Sequence, residues 1–588
     1  MKKVVIIGGG VAGMSAAHEL IERGFAVEVY ERQPVYVGGK ARSVDVPDSA
    51  GPGHLPLPGE HGFRFFPGFY RHIIDTMKRT PLAGQPGKTV YDNLVVSTQS
   101  IQAQVGEEPI QVPAQFPRTR ANLRKFIQAI VETHKQFTEA DNAKMFDVLW
   151  QIMTSCRNRK DNEYEQISWW QFTGADEHSQ AYRDLFVIGL TRTLVAARAE
   201  TISAKTEGNT LLGLMMLMGN PGGRTDQVLN GPTNDAWLYP WRDFLLSKGV
   251  TYHHGQKATV IHYDSTGKTI SGVTVSDDSG QVREVTGDYY LFAVPVEAMA
   301  DLVKNQNALL NDAPTLRQLP QLAMSTDWMN GIQFYLSEPV PLLDDTLGHV
   351  LYLKTPWALT SISQVQFWKG YDISRYGNGK VKSILSVDIS NWETEGLFIK
   401  KTANSCTPDE IRDEVWYQIQ QCLIVNGTTL LKSQQEILVN WYLDRDISFF
   451  RLNPGTKEEE VVDMNKEPLL INEVNTWGMR PSATTAIPNL FLASDYVRTF
   501  TDLATMEGAN EAARRAVNGI LIQSGTKAEF CRVWDLHTSL STQPLRWLDQ
   551  WRYNRGLPWK NETPWMFELM YRIFLLLDWL VSGKKKPG

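Results

Sequence analysis

Val4-Val5-Ile6-Ile7-Gly8-Gly9-Gly10-Val11-Ala12-Gly13 opens the chain, and Gly38-Gly39-Lys40-Ala41-Arg42-Ser43 closes the unit that it begins. Four consecutive β-branched residues predict a buried parallel strand. Gly8, Gly10 and Gly13 then predict a G-x-G-x-x-G turn into a helix from Met14 to about Arg23. Gly8 permits the tight turn, Gly10 lets a pyrophosphate approach the backbone, and Gly13 lets the helix pack close to its strand. Gly24 ends the helix, and Ala26-Val27-Glu28-Val29-Tyr30 predicts a second strand finishing at Glu31. An acid there accepts hydrogen bonds from an adenosine ribose and disfavours a 2′-phosphate. Strand, glycines, helix, strand and acid in this order predict a dinucleotide-binding βαβ unit.

The Gly-Gly-Lys-Ala-Arg-Ser element resembles the second signature of FAD-binding oxidoreductases of the amine oxidase and phytoene desaturase superfamily. The resemblance implies an α/β fold: a Rossmann-like FAD-binding domain, an inserted mixed α+β substrate domain and a helical C-terminal extension. It assigns Gly8, Gly10, Val11, Ala12, Gly13, Glu31 and Arg32 to the cofactor, together with Gly38, Gly39, Lys40, Ala41 and Arg42.

With 588 residues, 42% of them hydrophobic and 21% charged, the chain has material for two or more domains with ample core. A net charge of −6 gives no overall nucleic-acid signal. Cys156, Cys406, Cys422 and Cys531 form no C-x-x-C pair and no dense framework, so no metal site and a reduced, cytoplasmic chain are expected. The first strand begins by residue 4, which leaves no room for a secretory leader.

After the Pro/Gly-rich loop from Val46 to Gly59 comes Glu60-His61-Gly62-Phe63-Arg64-Phe65-Phe66-Pro67-Gly68-Phe69-Tyr70. By resemblance this segment runs over the isoalloxazine, adding Gly62, Phe63 and Arg64 to the cofactor residues. Arg64, a cation among phenylalanines, needs a partner: a flavin carbonyl, a substrate head group or a buried carboxylate. Arg64 is the leading catalytic candidate, as the group that orients flavin or substrate, and His61 the second; a satisfied histidine in an aromatic core loop is the alternative for His61.

From about Pro81 to Gly231 the pattern changes to helices. Leu123, Phe126, Ile127, Ile130 and Val131 recur at helical spacing, as do Phe146, Leu149, Trp150 and Met153. Leu211 to Met218 is apolar all round, which suits either core packing or a pocket for a long apolar ligand. Gly231-Pro232 and Trp237 to Trp241 lead back to the cofactor domain, in an order similar to plant-type and cyanobacterial phytoene desaturases. There, a strand near Ala258 offers its backbone to the adenine, and the strand ending at Ala293 joins the central sheet. Runs such as Gly331 to Leu336 and Val381 to Ile389 predict a mixed sheet in the second half of the substrate domain.

Pro488 to Tyr496 followed by Leu503 to Ala512 is the third signature. Asp495 ends an apolar strand, where it suits ribityl or pyrophosphate-side hydroxyls, and the amides around Met506 open a helix toward the flavin N1/O2 side. No second strand-glycine-helix fingerprint occurs, so a stable NAD(P)H site is not expected. No cysteine or histidine lies between Trp477 and Ala513, so the FAD is expected to be noncovalent. Electrons then leave for oxygen or a membrane quinone, or return to the substrate in an isomerisation.

Residues 546–588 hold eight Lys/Arg against four Asp/Glu, and six of the eighteen tryptophans lie beyond residue 533. Trp565 to Val581 carries Glu568, Arg572 and Asp578, too many charges for an easy span. It suits a helix lying at a membrane surface, strengthened by Lys584 to Lys586, or a helix packed on the body.

The boundaries expected are 1–80, 231–300 and 475–525 for the FAD-binding domain, 81–230 and 301–474 for the substrate domain, and 526–588 for the Trp-rich extension. The activity implied is hydride removal from an apolar isoprenoid or fatty-acyl substrate, giving desaturation or double-bond isomerisation. The location implied is the cytoplasm or the inner face of a membrane. An amine oxidase using oxygen and a flavin-stabilised binding protein are the alternatives.

Overall fold

The computed structural model describes residues 1–97, 99–113, 136–189, 191–192, 197–218, 226–342, 345–346, 348–444, 447–452, 459–465, 467–536 and 542–582. At its centre Lys3–Ile7 forms a strand with Val4, Val5 and Ile6 fully buried. It is flanked by Ala26–Tyr30 on one side and Tyr289–Phe292 on the other. Thr251–His253 and Leu490–Leu492 add the edges of a five-stranded, all-parallel sheet. A sheet of this kind is buried on both faces, which is why its strands are continuous apolar runs. The helix Val11–Ile21 covers one face beside the helix Met506–Ser524. Asn510 ties the two together, its Nδ2 donating to Ser15 Oγ at 2.8 Å and to Thr76 Oγ1 at 2.9 Å.

A second sheet has seven strands, in the order Leu438–Leu443, Asn330–Leu336, Ser383–Ile389, Leu359–Ser363, His349–Leu353, Gln99–Gln104 and Ile110–Pro113. It is mixed, since His349–Leu353 pairs in parallel with Gln99–Gln104 while the other neighbours run antiparallel. One face buries Ile332, Phe334, Leu385 and Val387 among Trp357, Trp392 and Trp416. By strand alternation the opposite face carries Gly331, Gln333, Ser386 and Asp388. That face meets the segment from Gly59 to Phe65: Gly331 N donates to His61 O at 2.9 Å.

Helices Glu139–Thr154 and Ala204–Met218 enclose a third core built on Trp169, Tyr182 and Phe186. The C-terminal helices Gln543–Tyr553 and Trp565–Ser582 pack on each other. Asp549 anchors the first of them, accepting from Cys156 N at 2.8 Å and Arg159 Nε at 3.0 Å.

The structure corrects the sequence expectations in three places. The first helix begins at Val11, three residues before Met14, because the glycine turn is completed by Gly10 as N-cap. The stretch after Pro81 is not purely helical: Leu94–Val96, Gln99–Gln104 and Ile110–Pro113 are strands, with Ile101 and Ala103 alternating into the core. In Glu139–Thr154 the buried stripe is Met145, Val148, Leu149 and Ile152, while Phe146 is 64% exposed. The strand expected near Ala258 is present as Lys257–Asp264, in a three-stranded antiparallel sheet of its own, while Thr251–His253 pairs with Ala26–Tyr30. Leu211 and Leu212 are buried as expected. The helical stretch expected over Leu123 to Val131 and the basic Lys584 to Lys586 lie outside the described residues.

Candidate cofactor and active site

The first glycine turn leaves a cradle of backbone. Gly8 adopts φ +100, its N–H donating to Tyr30 O at 2.8 Å, and a Cβ there would lie 2.4 Å from Ala293 O. A Cβ on Gly13 would lie 1.9 Å from Gly8 O, so strand and helix touch where only glycine fits. Gly10 differs. Its backbone is extended (φ −70, ψ −174), and the nearest atom to a Cβ would be Gly39 Cα at 3.7 Å, so here the protein itself leaves room. The N–H groups of Val11, Ala12 and Gly13 open the helix with no side-chain cap and no acid in the first turn. Such an end is a ready anion site. The second signature folds directly on the first, Gly38 N donating to Gly9 O at 3.0 Å and Gly10 bridging Gly38.

Glu31 is buried at the end of its strand. Its Oε2 accepts from Gly9 N at 2.6 Å and its Oε1 from Gln33 N at 2.8 Å, so the carboxylate is held beside the glycine turn. His253 O accepts from Glu31 N at 2.8 Å and Gln256 N donates to Glu31 O at 2.8 Å, which brings the chain leading into Ala258 to this end of the cradle. Arg32 and Arg42 converge on Glu467, each at 3.0 Å, while Lys40 Nζ bonds Pro468 O. Ala41 is buried behind them. Asp495 follows the edge strand Leu490–Leu492, with Ser494 Oγ donating to it at 3.1 Å. It acts on Glu297, whose carboxyl is raised above the usual range by burial and by Asp495, against the pull of Lys40.

The segment after Gly59 carries a cluster of ionisable groups. Glu60 is buried and fully engaged, accepting from Thr233 Oγ1 at 2.6 Å and Gln364 Nε2 at 3.1 Å. His61 Nδ1 is bonded to Asp444. Arg64 Nη2 donates to Lys40 O at 3.2 Å, and its buried Nε has no partner among the described residues. Burial lowers its pKa, opposed by Glu60 and Asp388. The Asp388 carboxyl is pushed up to about 7 by burial, with Arg64, His61 and the Phe63 N–H pulling it down. Phe63 and Phe65 lean on His349, at ring distances of 5.9 and 4.7 Å, and burial lowers His349 to about 4. That wall is uncharged at neutral pH.

Met506 is the first residue of its helix, capped by Thr505, whose Oγ1 accepts from Gly508 N at 3.1 Å. Buried Tyr70 links this helix start to Arg64: burial and Glu507 raise its pKa, while Thr505 and Arg64 oppose them. Contacts therefore link these segments in series: Gly9 to Glu31 and Gly38, Lys40 to Arg64, and Tyr70 to both Arg64 and Thr505, the residue that caps the helix opening at Met506. Asp388, Asp444, Glu297 and Glu467 escape sequence reasoning. A lone aspartate in the otherwise apolar run Val381 to Ile389 is the signal that marks Asp388; Glu467 has none. Among the described residues no three His, Cys, Asp or Glu side chains group as a metal site, and all four cysteines are free and buried.

A dinucleotide suits what is present: a glycine whose missing Cβ opens space, uncapped helix amides, an acid at the end of the second strand and a second helix N-terminus at Met506. The family model of flavin containing amine oxidoreductases matches residues 11–521. The chain is 23% identical to a probable zeta-carotene desaturase of Synechococcus elongatus, over 88% of this chain and 98% of that protein. It is 26% identical to the carotenoid phi-ring synthase of Chlorobaculum tepidum, a match that spans 44% of this chain and 37% of that longer protein. In fold it resembles cyclohexylamine oxidase from Brevibacterium oxydans, with a TM-score of 0.54 and 13% identity over 89% of this chain and all of that one. The chain belongs to the flavin containing amine oxidoreductases and is a FAD-dependent oxidoreductase.

Proposed function

We propose that this enzyme removes hydride from an apolar, lipid-like substrate, isoprenoid or fatty-acyl, and completes a desaturation or a double-bond isomerisation. The observation that carries this reading is the similarity to a zeta-carotene desaturase along 88% of the chain, whereas the likeness to amine oxidases of solved structure is one of fold. The uncharged wall of Phe63, Phe65 and His349 supports it, since an apolar chain loses no hydrogen bonds by lying there.

In this reading residues 1–80, 231–300 and 475–525 hold the cofactor, and residues 81–230 and 301–474 enclose the substrate. The amides of Val11 to Gly13 would hold the phosphates and Glu31 the ribose, with Arg32, Lys40, Arg42 and Asp495 available to the diphosphate and ribityl side. Gly62, Phe63, Arg64 and Met506 would hold the ring system. FAD, bound noncovalently, supplies the hydride acceptor. The chain's own part is to orient the substrate carbon, exclude water and manage the proton. Oxygen or a membrane quinone takes the electrons onward.

The extension 526–588 meets the membrane that stores such substrates. Trp565, Met566, Leu569 and Ile573 are exposed on one side of Trp565–Ser582, and Trp547 and Trp551 are exposed on Gln543–Tyr553. Among the described residues no helix is long and apolar enough to cross a membrane, which suits a helix lying in the headgroup region.

The test is anaerobic. Lipid extracts in liposomes and a panel of soluble amines are added to the yellow protein, and the oxidised flavin band near about 450 nm is followed. Bleaching by lipids supports the proposal. Bleaching by amines alone overturns it in favour of amine oxidation, and altered double-bond position without bleaching selects isomerisation.

A further inference from the structure

Asp388 stands out among the buried groups that the cofactor leaves unused. It belongs to Ser383–Ile389, opposite Gly331 in the neighbouring strand, on the sheet face that meets the segment from Gly59 to Phe65. Two glycines make room for it. A Cβ on Gly62 would lie 2.7 Å from Asp388 Oδ1, and one on Gly331 would lie 2.9 Å from Gly62 Cα and 3.1 Å from the same Oδ1. The carboxyl is 8% exposed, and Oδ1 has no hydrogen-bond partner among the described residues. On the same face the next cross-strand pair, Gln333 and Ser386, also has an unpartnered Nε2 and Oγ. Buried polar atoms without partners are uncommon, and several on one sheet face mark a surface built to meet something else.

We propose that Asp388 is the proton acceptor of the reaction, an inference that rests on the hydride-removal reading above. One substrate carbon would give up hydride, two electrons and a proton, to the flavin that the site would hold. As the hydride leaves, positive charge develops on the chain and the C–H bond at the adjacent carbon becomes acidic, so that it breaks in the same step. That bond breaks toward carbon: its electron pair becomes the new double bond and its proton goes to the Asp388 carboxylate. The substrate is oxidised by two electrons and the FAD is reduced; oxygen or a quinone later takes the electrons. A weak base suffices against so acidic a C–H, and one that ionises near neutral pH also releases the proton again. The facing groups set that balance. Burial disfavours the carboxylate, Arg64 and His61 favour it, and Glu60 opposes it, while Asp444 holds His61 in place.

The experiment compares wild type, Asp388→Asn and Asp388→Glu. Flavin reduction by the bleaching lipid falls about 100-fold or more in Asp388→Asn, within the span of general-base effects, with FAD content and substrate affinity unchanged. Asp388→Glu recovers part of the rate. Independently of turnover, an infrared pH titration of the holoenzyme shows a carboxylic acid band that disappears with a midpoint near 7, and Asp388→Asn lacks it. An Asp388→Asn protein that is reduced at the wild-type rate and pH profile overturns the base and leaves the hydride reading intact. A wild type that no lipid bleaches overturns both.

Discussion

Glu507 closes the N-terminus of the helix that begins at His72. Its carboxylate accepts from Arg71 N at 2.7 Å, His72 N at 2.8 Å, Ile73 N at 3.0 Å and His72 Nδ1 at 2.7 Å. Trp534 N donates to the other ring nitrogen of His72 at 3.0 Å, so Nδ1 carries the proton. One residue after Met506, the chain thus uses an acid to fasten two helices and, through His72, the segment around Trp534.

Replacing Glu507 tests how far the cofactor end depends on that fastening. Burial alone would raise its pKa, but the bonds from His72 and the backbone more than offset this and hold it below the usual carboxylate value. A lowered folded pKa contributes stability that is present above the unfolded value of about 4.3 and is lost as pH falls through the folded one. Glu507→Gln is expected to lose about 3 kcal/mol in denaturant unfolding at pH 7, because charge-assisted bonds to buried N–H groups are replaced by an amide that cannot satisfy all of them. The gap closes in acid. An equal loss at pH 7 and pH 3 would contradict the ionic cap.

Gly10 and Gly13 separate cofactor binding from folding. Alanine at Gly13 meets Gly8 O at 1.9 Å and is expected to destabilise the protein by about 3 kcal/mol whether or not FAD is present. Alanine at Gly10 meets no protein atom within 3.6 Å and suits its extended backbone. Its apoprotein should therefore melt like wild type, while FAD binds at least about tenfold more weakly, a difference of about 1.4 kcal/mol. Unchanged FAD affinity in Gly10→Ala would remove the phosphates from this cradle.

How much of this was legible in sequence follows the range of the contacts. Gly8, Gly13 and Glu31 speak through spacing within a single βαβ unit, where the chain alone fixes the geometry. Glu467 reaches Arg42 from 425 positions away, and nothing local distinguishes it from a solvated acid. Phe146 shows a subtler limit: helical periodicity is correct there, but two adjacent apolar residues, Met145 and Phe146, leave the phase of the stripe open, and packing chose Met145. Gln99–Gln104 reads as polar because one face of that strand is polar, while Ile101 and Ala103 on the other are fully interior.

Glu207 is the clearest stability liability. It is wholly buried in Ala204–Met218, both of its oxygens lack partners among the described residues, and burial raises its pKa well above the usual value. With a raised folded pKa the protein is most stable below the unfolded value of about 4.3, and loses stability as pH rises from there until the folded value is reached. Glu207→Gln cannot ionise. Its advantage over wild type should be near zero at pH 4, grow with pH, and exceed about 2 kcal/mol at pH 7.5 in urea unfolding. A gap that does not grow with pH would mean that the carboxyl finds a partner in solution.

The C-terminal helix offers the sharpest test of membrane association because its two faces are separable. Tyr571 meets Trp150 at 6.0 Å and Phe574 meets Trp547 at 5.8 Å, and these contacts dock the helix on the body. Trp565, Leu569 and Ile573 lie on the other side, between 49% and 77% exposed. Changing those three to serine leaves the docking contacts in place, so melting temperature and FAD content should not move. Partition onto liposomes should fall at least about tenfold, since each large apolar side chain brings more than about 1 kcal/mol to burial in the headgroup region. The basic residues that follow, Lys584 to Lys586, predict tighter binding to anionic vesicles and a loss of that preference at high salt. If the triple variant sediments with liposomes as well as wild type does, the exposed face is not what holds the enzyme at a membrane, and access to an apolar substrate has to be sought elsewhere on the surface.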